Sequence, residues 1–561
     1  MEQRSSILRW VLIAVAVWLA WTYLPKLWGG GSNAATDSQP IPQVTPVTPP
    51  GARAPETMCT INGDRFTAEL TTQGASLKHL LLSGQHYMDK GAPVDLVTTP
   101  DHESKRPLRM VWRGPGVQPD GTAQVQYDEF DWKLEKSDGK ECVFTYADDR
   151  VELRKVVRAD DRPFELAVEA TVKNIAQDKK KHALSVVASA WRYKAEVESH
   201  LGRQSPFVTS VECLDDGKMK RMHESDFAPK DFSKPGYENG WFVQRGDVSF
   251  ASVSNFYFSQ ALVGVQPAAS SCLMQVDERT GGGLDGAFYQ SRLAWDAREL
   301  APGESATYRL TAFLGPKERD VLASAAGGKA HLSDLVDLGY FSIIAKYLLQ
   351  YLVWLHSKVG NWGIAIILMT VSVRFILFPL TWKSIQSGFQ MRRLKPEIDA
   401  INAKYKDDAQ GKNVATMDLW KKHKVNPLGG CLPAIFQMPV WWALYTSLQT
   451  AVELYHTPFL YFPDLSAPDP YYVLPIVLGG TMILQQKIMP MQMDPTQQKM
   501  MTFVMPAVFT VMMLFLPSGL AVYMLTNSVL GIVQQLAIEK YWSRKSPPVA
   551  PGITVQDKPK S

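Results

Sequence analysis

Beyond about residue 360 the chain is one apolar run of bilayer length after another, over residues 361–380, 431–452, 471–489, 500–516 and 519–538. About 20 apolar residues in a helix cover a hydrocarbon layer ~30 Å thick, where every backbone polar group must be satisfied internally. These runs restrict the carboxyl-terminal half to packed membrane helices. The average composition hides this, because a mean hydropathy of −0.12 and a net charge of +4 over 561 residues describe a soluble protein. The apolar residues are segregated, and residues 57–330 read as water-soluble.

A sixth apolar segment, residues 7–24, follows Arg4 and Arg9. Its eighteen residues are long for a signal-peptide core, and Trp10, Trp18, Trp21, Tyr23 and Trp28 have the character of interfacial anchors. It is therefore read as an uncleaved anchor, residues 1–28. Cationic loops stay cytoplasmic. Residues 382–427 hold ten Lys or Arg, whereas 453–470 hold none, and the tail adds Lys540, Arg544, Lys545, Lys558 and Lys560. Six spans with both termini cytoplasmic satisfy these asymmetries. Residues 338–355 are also apolar, but Ser342, Lys346 and Gln350 recur every four positions and draw a polar stripe. This segment is read as an amphipathic helix in the outer interface, after which Gly360–Gly363 turn the chain into the bilayer.

Residues 29–56 are rich in proline and form a tether. Short alternating runs follow, among them VELRKVVR (151–158), FELAVEATVKN (164–174) and ALSVVASAWRY (183–193), which predict an exported antiparallel β-sandwich. Its histidines are scattered, with no pair at metal-ligand spacing. No nucleophile–base pair or phosphate loop is recognisable, which argues against an envelope enzyme and gives no catalytic residue, metal or cofactor. Cys59, Cys142, Cys213 and Cys272 have irregular spacing, unlike a disulfide framework, and leave free thiols and one or two bridges equally open.

The membrane half carries polar groups where lipid-facing helices would not. Arg374 lies within the run at 361–380, with Thr370 one turn before it and Thr381 continuing the same face. A guanidinium near a bilayer centre costs ~2.5–3.5 kcal/mol on the lenient scale. Arg374 is nine residues, or ~13 Å of helix, before Lys383, too deep to snorkel comfortably. Gln437 marks a second span, and Tyr523, Asn527 and Gln534 share a face of another. The spans contain no internal Asp or Glu, so a proton-coupled pump is disfavoured. A positive cavity without a counter-ion suits the polar part of another polypeptide. An anion-selective transporter or channel is the alternative.

In the loop at 382–427, Leu394, Ile398, Ile401 and Tyr405 repeat at 4-3-4 spacing, with Met417 and Trp420 available on a second arm. This predicts a basic helical hairpin. The motifs NPLGGCLP (426–433), DPYY (469–472), DPTQQKMMTFVMP (494–506), FLPSGL (515–520) and PLTWKS (379–384), in this order, resemble those of the YidC-type membrane protein insertases, in the Gram-negative form with a large periplasmic domain.

The resemblance implies a five-helix core around a hydrophilic groove, closed toward the periplasm. The groove residues it implies are Thr370, Arg374, Gln437 with its neighbour Met438, Tyr523 or Met524, and Asn527. The fold expected is then a polytopic α-helical membrane protein of six transmembrane helices with a periplasmic all-β sandwich. Its parts are the anchor (1–28), linker (29–56), sandwich (57–330), interfacial helix (331–358), membrane core (359–540) with the hairpin 382–427, and a basic cytoplasmic tail (541–561). Expected partners are nascent membrane proteins, the Sec translocon, ribosomes or signal recognition targeting factors, and membrane lipid, with no specific nucleic-acid sequence. The site expected is the bacterial inner membrane.

Overall fold

The computed structural model describes residues 55–89, 91–101, 105–113, 132–197, 205–228, 231–279, 285–405, 408–423, 432–488 and 498–545. The expected anchor at 1–28, nearly all of the linker, the NPLGG sequence and the tail beyond residue 545 lie outside the described residues.

The alternating runs become antiparallel strands. Met58–Gly63, Phe66–Thr71 and Ser76–Leu82 form a three-stranded meander, and fifteen further strands join in one hydrogen-bonded network. In Glu165–Asn174 the side chains of Leu166, Val168, Ala170 and Val172 are all buried, as period-two patterning requires. This strand pairs with Val151–Ala159 on one side and Ser305–Pro316 on the other. Of the cysteines, Cys59 and Cys142 are bridged, with Cα atoms 6.1 Å apart, while Cys213 and Cys272 are buried free thiols. The bridge ties the small meander to strand Glu141–Ala147 of the large sheet. Spacing was uninformative because the partners are 83 residues apart and belong to different sheets.

The helical half comprises α1 (Ser342–Val359), α2 (Trp362–Ile376), α3 (Phe378–Arg393), α4 (Lys395–Lys404), α5 (Ala409–Lys422), α6 (Leu432–Thr450), α7 (Val473–Ile488), α8 (Met505–Met513) and α9 (Ser518–Lys545). A π-helical turn at Met500–Val504 leads into α8. Gly360, at φ 66°, ends α1 in the left-handed conformation, and the Asn361 side chain caps α2 by accepting from the Ile364 N–H at 3.0 Å. The amphipathic segment is thus a helix, shifted four residues from the run that announced it.

The run at 361–380 is not one helix. α2 stops at Ile376, and α3 leaves it at 64°. Pro379 has no N–H to donate and fits only in the first turn of the new helix. Thr381 is therefore not on the Thr370–Arg374 face. It lies on α3, its hydroxyl donating to the Leu377 carbonyl at 3.1 Å. Among the described residues α9 alone is long and apolar enough to cross a membrane by itself, over Ser518–Trp542, and α2 and α3 qualify together as a bent pair. The hairpin arms α4 and α5 meet through Leu394 and Leu419, with Ile398, Ile401 and Trp420 against them. Met417 is half exposed, so Leu419 takes the place expected for it.

The two halves are joined by packing. The segment after α6 inserts Val452 and Tyr455 into the β core. Tyr455 lies 5.1 Å from Tyr257 and 5.6 Å from Phe258, ring to ring, and His86 Nε2 is 3.1 Å from the Val452 carbonyl. Below the large sheet, Arg221 bridges Glu212 at 2.6 Å and Asp337 at 3.0 Å, and Lys317 donates to the Leu335 carbonyl. These bonds fix the chain leading into α1.

His182 gives the β region a built-in acid sensitivity. It is 6% exposed, its Nε2 is 3.0 Å from the Tyr308 hydroxyl, and burial, aided by the charge of Arg298, pushes it from 6.5 down to about 4. The unfolded chain therefore takes up this proton first as pH falls. Stability is full above pH 6.5 and lost between 6.5 and 4, by roughly 2–3 kcal/mol. Urea unfolding of the native protein followed by far-ultraviolet circular dichroism of its β region should show this loss. In His182→Gln the loss over that window should shrink by the same amount.

Candidate functional site

The site grows from the packing of α2 and α9. α9 lies along α2 and α7, and touches α6 over a shorter stretch. A common core of Leu352, Ile366, Met369, Leu448, Leu478, Met513 and Leu520 holds the helices together. At one end this bundle is closed. Ser518, fully buried, donates its hydroxyl to the Asp464 carbonyl at 2.9 Å and its backbone N–H to the Ala467 carbonyl at 2.7 Å. Asp469 accepts from the Leu474 N–H at 2.7 Å and so caps the start of α7. Gly363 lies under the Phe459 ring, where a Cβ would fall 2.2 Å from ring carbons. The FLPSGL and DPYY sequences are thus the fastenings of this end.

At the other end of α2 sits Arg374, in the last helical turn, where a cation suits the helix dipole. Its guanidinium lies along α9. Nε donates to Asn527 Oδ1 at 2.6 Å, Nη2 to the Asn527 backbone carbonyl at 2.7 Å, and Nη1 to Gln534 Oε1 at 3.3 Å. Every partner is neutral, and among the described residues no carboxylate bonds it. Of the five N–H donors of a guanidinium, these bonds occupy three and leave one on each terminal nitrogen.

One turn along α9, Gln437 of α6 donates to the Tyr523 hydroxyl at 3.0 Å. Tyr523 and Asn527 are four residues apart, so the two bonded pairs adjoin on one face. The structure thus brings together Arg374, Asn527, Gln437 and Tyr523. It does not do so for the rest. Thr370 is buried at 1% exposure and spends its hydroxyl on the Ile366 carbonyl of its own helix, at 2.7 Å. Met438 points outward at 68% exposure, and Met524 packs against the apolar core.

Sequence reasoning missed Gly531. A Cβ there would stand 3.0 Å from Arg374 Nη2. The carbonyl of residue 527 runs beneath residue 531, one turn on, so a side chain at 531 would press on the guanidinium where it reaches that carbonyl. The signal was present, since Gly531 falls between Asn527 and Gln534 on the polar face.

The sequence matches the family described as YidC periplasmic domain over residues 58–351 and that described as 60Kd inner membrane protein over residues 354–545. It is 36% identical over 510 residues to a membrane protein insertase YidC of Anaeromyxobacter sp. (strain K), covering 89% of this chain and 87% of that one. It is 32% identical over 562 residues to a membrane protein insertase YidC of Oleidesulfovibrio alaskensis, covering 95% and 99%. A crystal structure described as an active YidC insertase with the first transmembrane domain resolved aligns over 87% of this chain and 95% of its own, at 18% identity and a TM-score of 0.36.

Gly531→Leu should displace the guanidinium and destabilise the helical half by about 1–3 kcal/mol, the usual range for overpacking. In an Arg374→Ala background the same substitution should cost less than half as much, because the colliding group is gone. Thermal unfolding of the four proteins of this cycle in detergent reads both values.

Proposed function

The chain belongs to the YidC family of membrane protein insertases, and we propose that the Arg374 cradle is the charged floor of its insertion groove. The protein acts in membrane protein biogenesis, is not an enzyme, and resides in the bacterial inner membrane with its β region in the periplasm. The proposed topology has six spans with both termini cytoplasmic, the five carboxyl-terminal ones forming the core. The proposed division is anchor, linker, β-sandwich at 57–330, interfacial helix at 331–358, core at 359–540 and tail. The groove lies among Arg374, Gln437, Tyr523 and Asn527, with Thr370 behind it and Met438 and Met524 at its apolar margins.

The observation that carries this reading is a guanidinium held in the apolar half by neutral acceptors alone, with two donors unspent. A carboxylate there would neutralise the site, whereas amide and carbonyl partners orient the charge and leave it available. The polar or acidic end of a nascent hydrophobic segment enters from the cytoplasm and binds the free donors, replacing part of its lost hydration. This shortens the low-dielectric path to the periplasm. The apolar remainder then leaves between α6 and α9 into lipid, driven by burial worth ~25 cal/mol per Å². The basic hairpin receives ribosomes or signal recognition targeting factors, and the Sec translocon hands over larger clients. An anion-selective pathway would need an opening through the layer that Ser518, Leu465 and Phe462 fill, all of them buried.

The test is insertion into proteoliposomes of a two-span client in two forms, with an acidic or a neutral translocated segment. Arg374→Ala should slow the acidic form about tenfold, the worth of one charge-assisted contact, and leave the neutral form within twofold. Arg374→Lys should keep most of the activity, because the charge is what the client meets. Equal insertion of both forms by all three proteins, with no photo-crosslink from Gln437 or Tyr523 positions to either client, would sink the groove assignment.

A further inference from the structure

Between α1, the β region and the segment after α6 lies a cleft of about 990 Å³ that the insertion groove does not use. Its floor is the polar stripe of α1, Ser342, Lys346 and Gln350, all exposed. On one wall Arg65 pairs with Glu318, at 2.8 and 2.5 Å, and the Tyr87 hydroxyl bonds the same carboxylate, so these groups satisfy one another.

Among the described residues no salt bridge joins the remaining charges of the cleft. The Lys346 ammonium has no ion-pair partner among the described residues. Arg319 on the facing helix Arg319–Ser324 donates to the Lys346 carbonyl at 3.4 Å, and its charge and backbone N–H act on the Glu453 carboxyl. Asp320 is exposed beside it, and Glu453 approaches from the segment after α6. Burial pushes the Glu453 carboxyl up to about 7, so it gains from a nearby cation. The cleft thus sets two cations next to two carboxyl groups.

The stripe borders an apolar face. Ile343, Tyr347 and Trp354 fall about a quarter-turn around α1 from Ser342, Lys346 and Gln350, and are 73%, 68% and 53% exposed. A ligand matching all three elements carries an anionic group, an adjacent cation that donates hydrogen bonds, and long apolar chains.

We propose that this cleft holds the headgroup of one phospholipid bearing a primary amine, of the phosphatidylethanolamine type. The phosphate meets Lys346 and Arg319, the ammonium meets Asp320 and Glu453, and the acyl chains run down the face of Ile343, Tyr347 and Trp354. A quaternary amine has no N–H for the carboxylates, and a glycerol headgroup has no cation. The inference rests on the proposed topology, which puts α1 at the periplasmic surface, and it names a role for the polar stripe that solvation alone does not.

Native mass spectrometry of the full chain in mild detergent tests it, with equal amounts of phosphatidylethanolamine, phosphatidylglycerol and phosphatidylcholine, and separately with soluble glycerophosphoethanolamine. One phosphatidylethanolamine should be retained about fivefold over the other two lipids. Lys346→Glu and the double variant Asp320→Asn/Glu453→Gln should each abolish that preference, while unchanged melting temperatures show that both proteins fold. Equal retention of the three lipids by the native chain overturns the proposal. So does a preference that survives in both variants, or headgroup binding as tight as that of the whole lipid, which would mark a site for a free solute. Client crosslinking at Gln437 is read independently, so loss of the groove reading and loss of the lipid site register in different measurements.

Discussion

The contact between Arg374 and the backbone of α9 is the constraint on which the helical half depends. A guanidinium among apolar helices is costly unless acceptors meet it, and here a side-chain amide, a backbone carbonyl and a second amide meet three of its five donors. The arrangement fixes the rotation of α9, because only the face bearing Asn527, Gly531 and Gln534 offers both acceptors and room. It favours a close approach of α2 as well, since a side chain at 531 would crowd the guanidinium bonded to the main-chain carbonyl. Through the next turn of α9 the same rotation presents Tyr523 to Gln437 and brings in α6.

Neutral partners are what separate this site from a structural ion pair. A buried Arg–carboxylate pair discharges its own field, and breaking it leaves an uncompensated charge. Amide and carbonyl acceptors hold the guanidinium without cancelling it. The charge therefore stays uncancelled, which is the property the proposed groove reading draws on. The opposite end of the bundle is made differently. There Ser518, Asp469 and Phe459 close the layer with bonds and a ring seated on Gly363, so the polarity of the bundle runs from an available charge to a sealed cap.

Among the described residues the β region is attached to that sealed end. Tyr455 and Val452 are buried within it, and the Arg221 bridge to Glu212 and Asp337 secures the chain leading into α1. It therefore braces the cap and positions α1, at the opposite end of α2 from Arg374.

Much of this was legible in residue order. The apolar runs, the stripe on α1, the turn at Gly360 and the alternating strands are local patterns that report the element they form. The bend after Ile376 was legible too, since Pro379 stands in the run, but hydropathy averages over a single residue and reads 361–380 as continuous. The pairing of Cys59 with Cys142, the burial of Tyr455 in the other half and the substitution of Leu419 for Met417 had no local signature, because each depends on which distant surfaces meet. So it is with the site. Sequence alone determined that Arg374 is a costly charge in an apolar helix, that no carboxylate is near it along the chain, and that Asn527 and Gln534 share a face. Only the tertiary structure decided that this face turns toward Arg374 and that Gly531 opens a main-chain carbonyl to it. It also withdrew Thr370 into its own helix. Hydrogen bonds between helices are set by the rotation of each about its axis, a quantity that packing fixes and periodicity does not record.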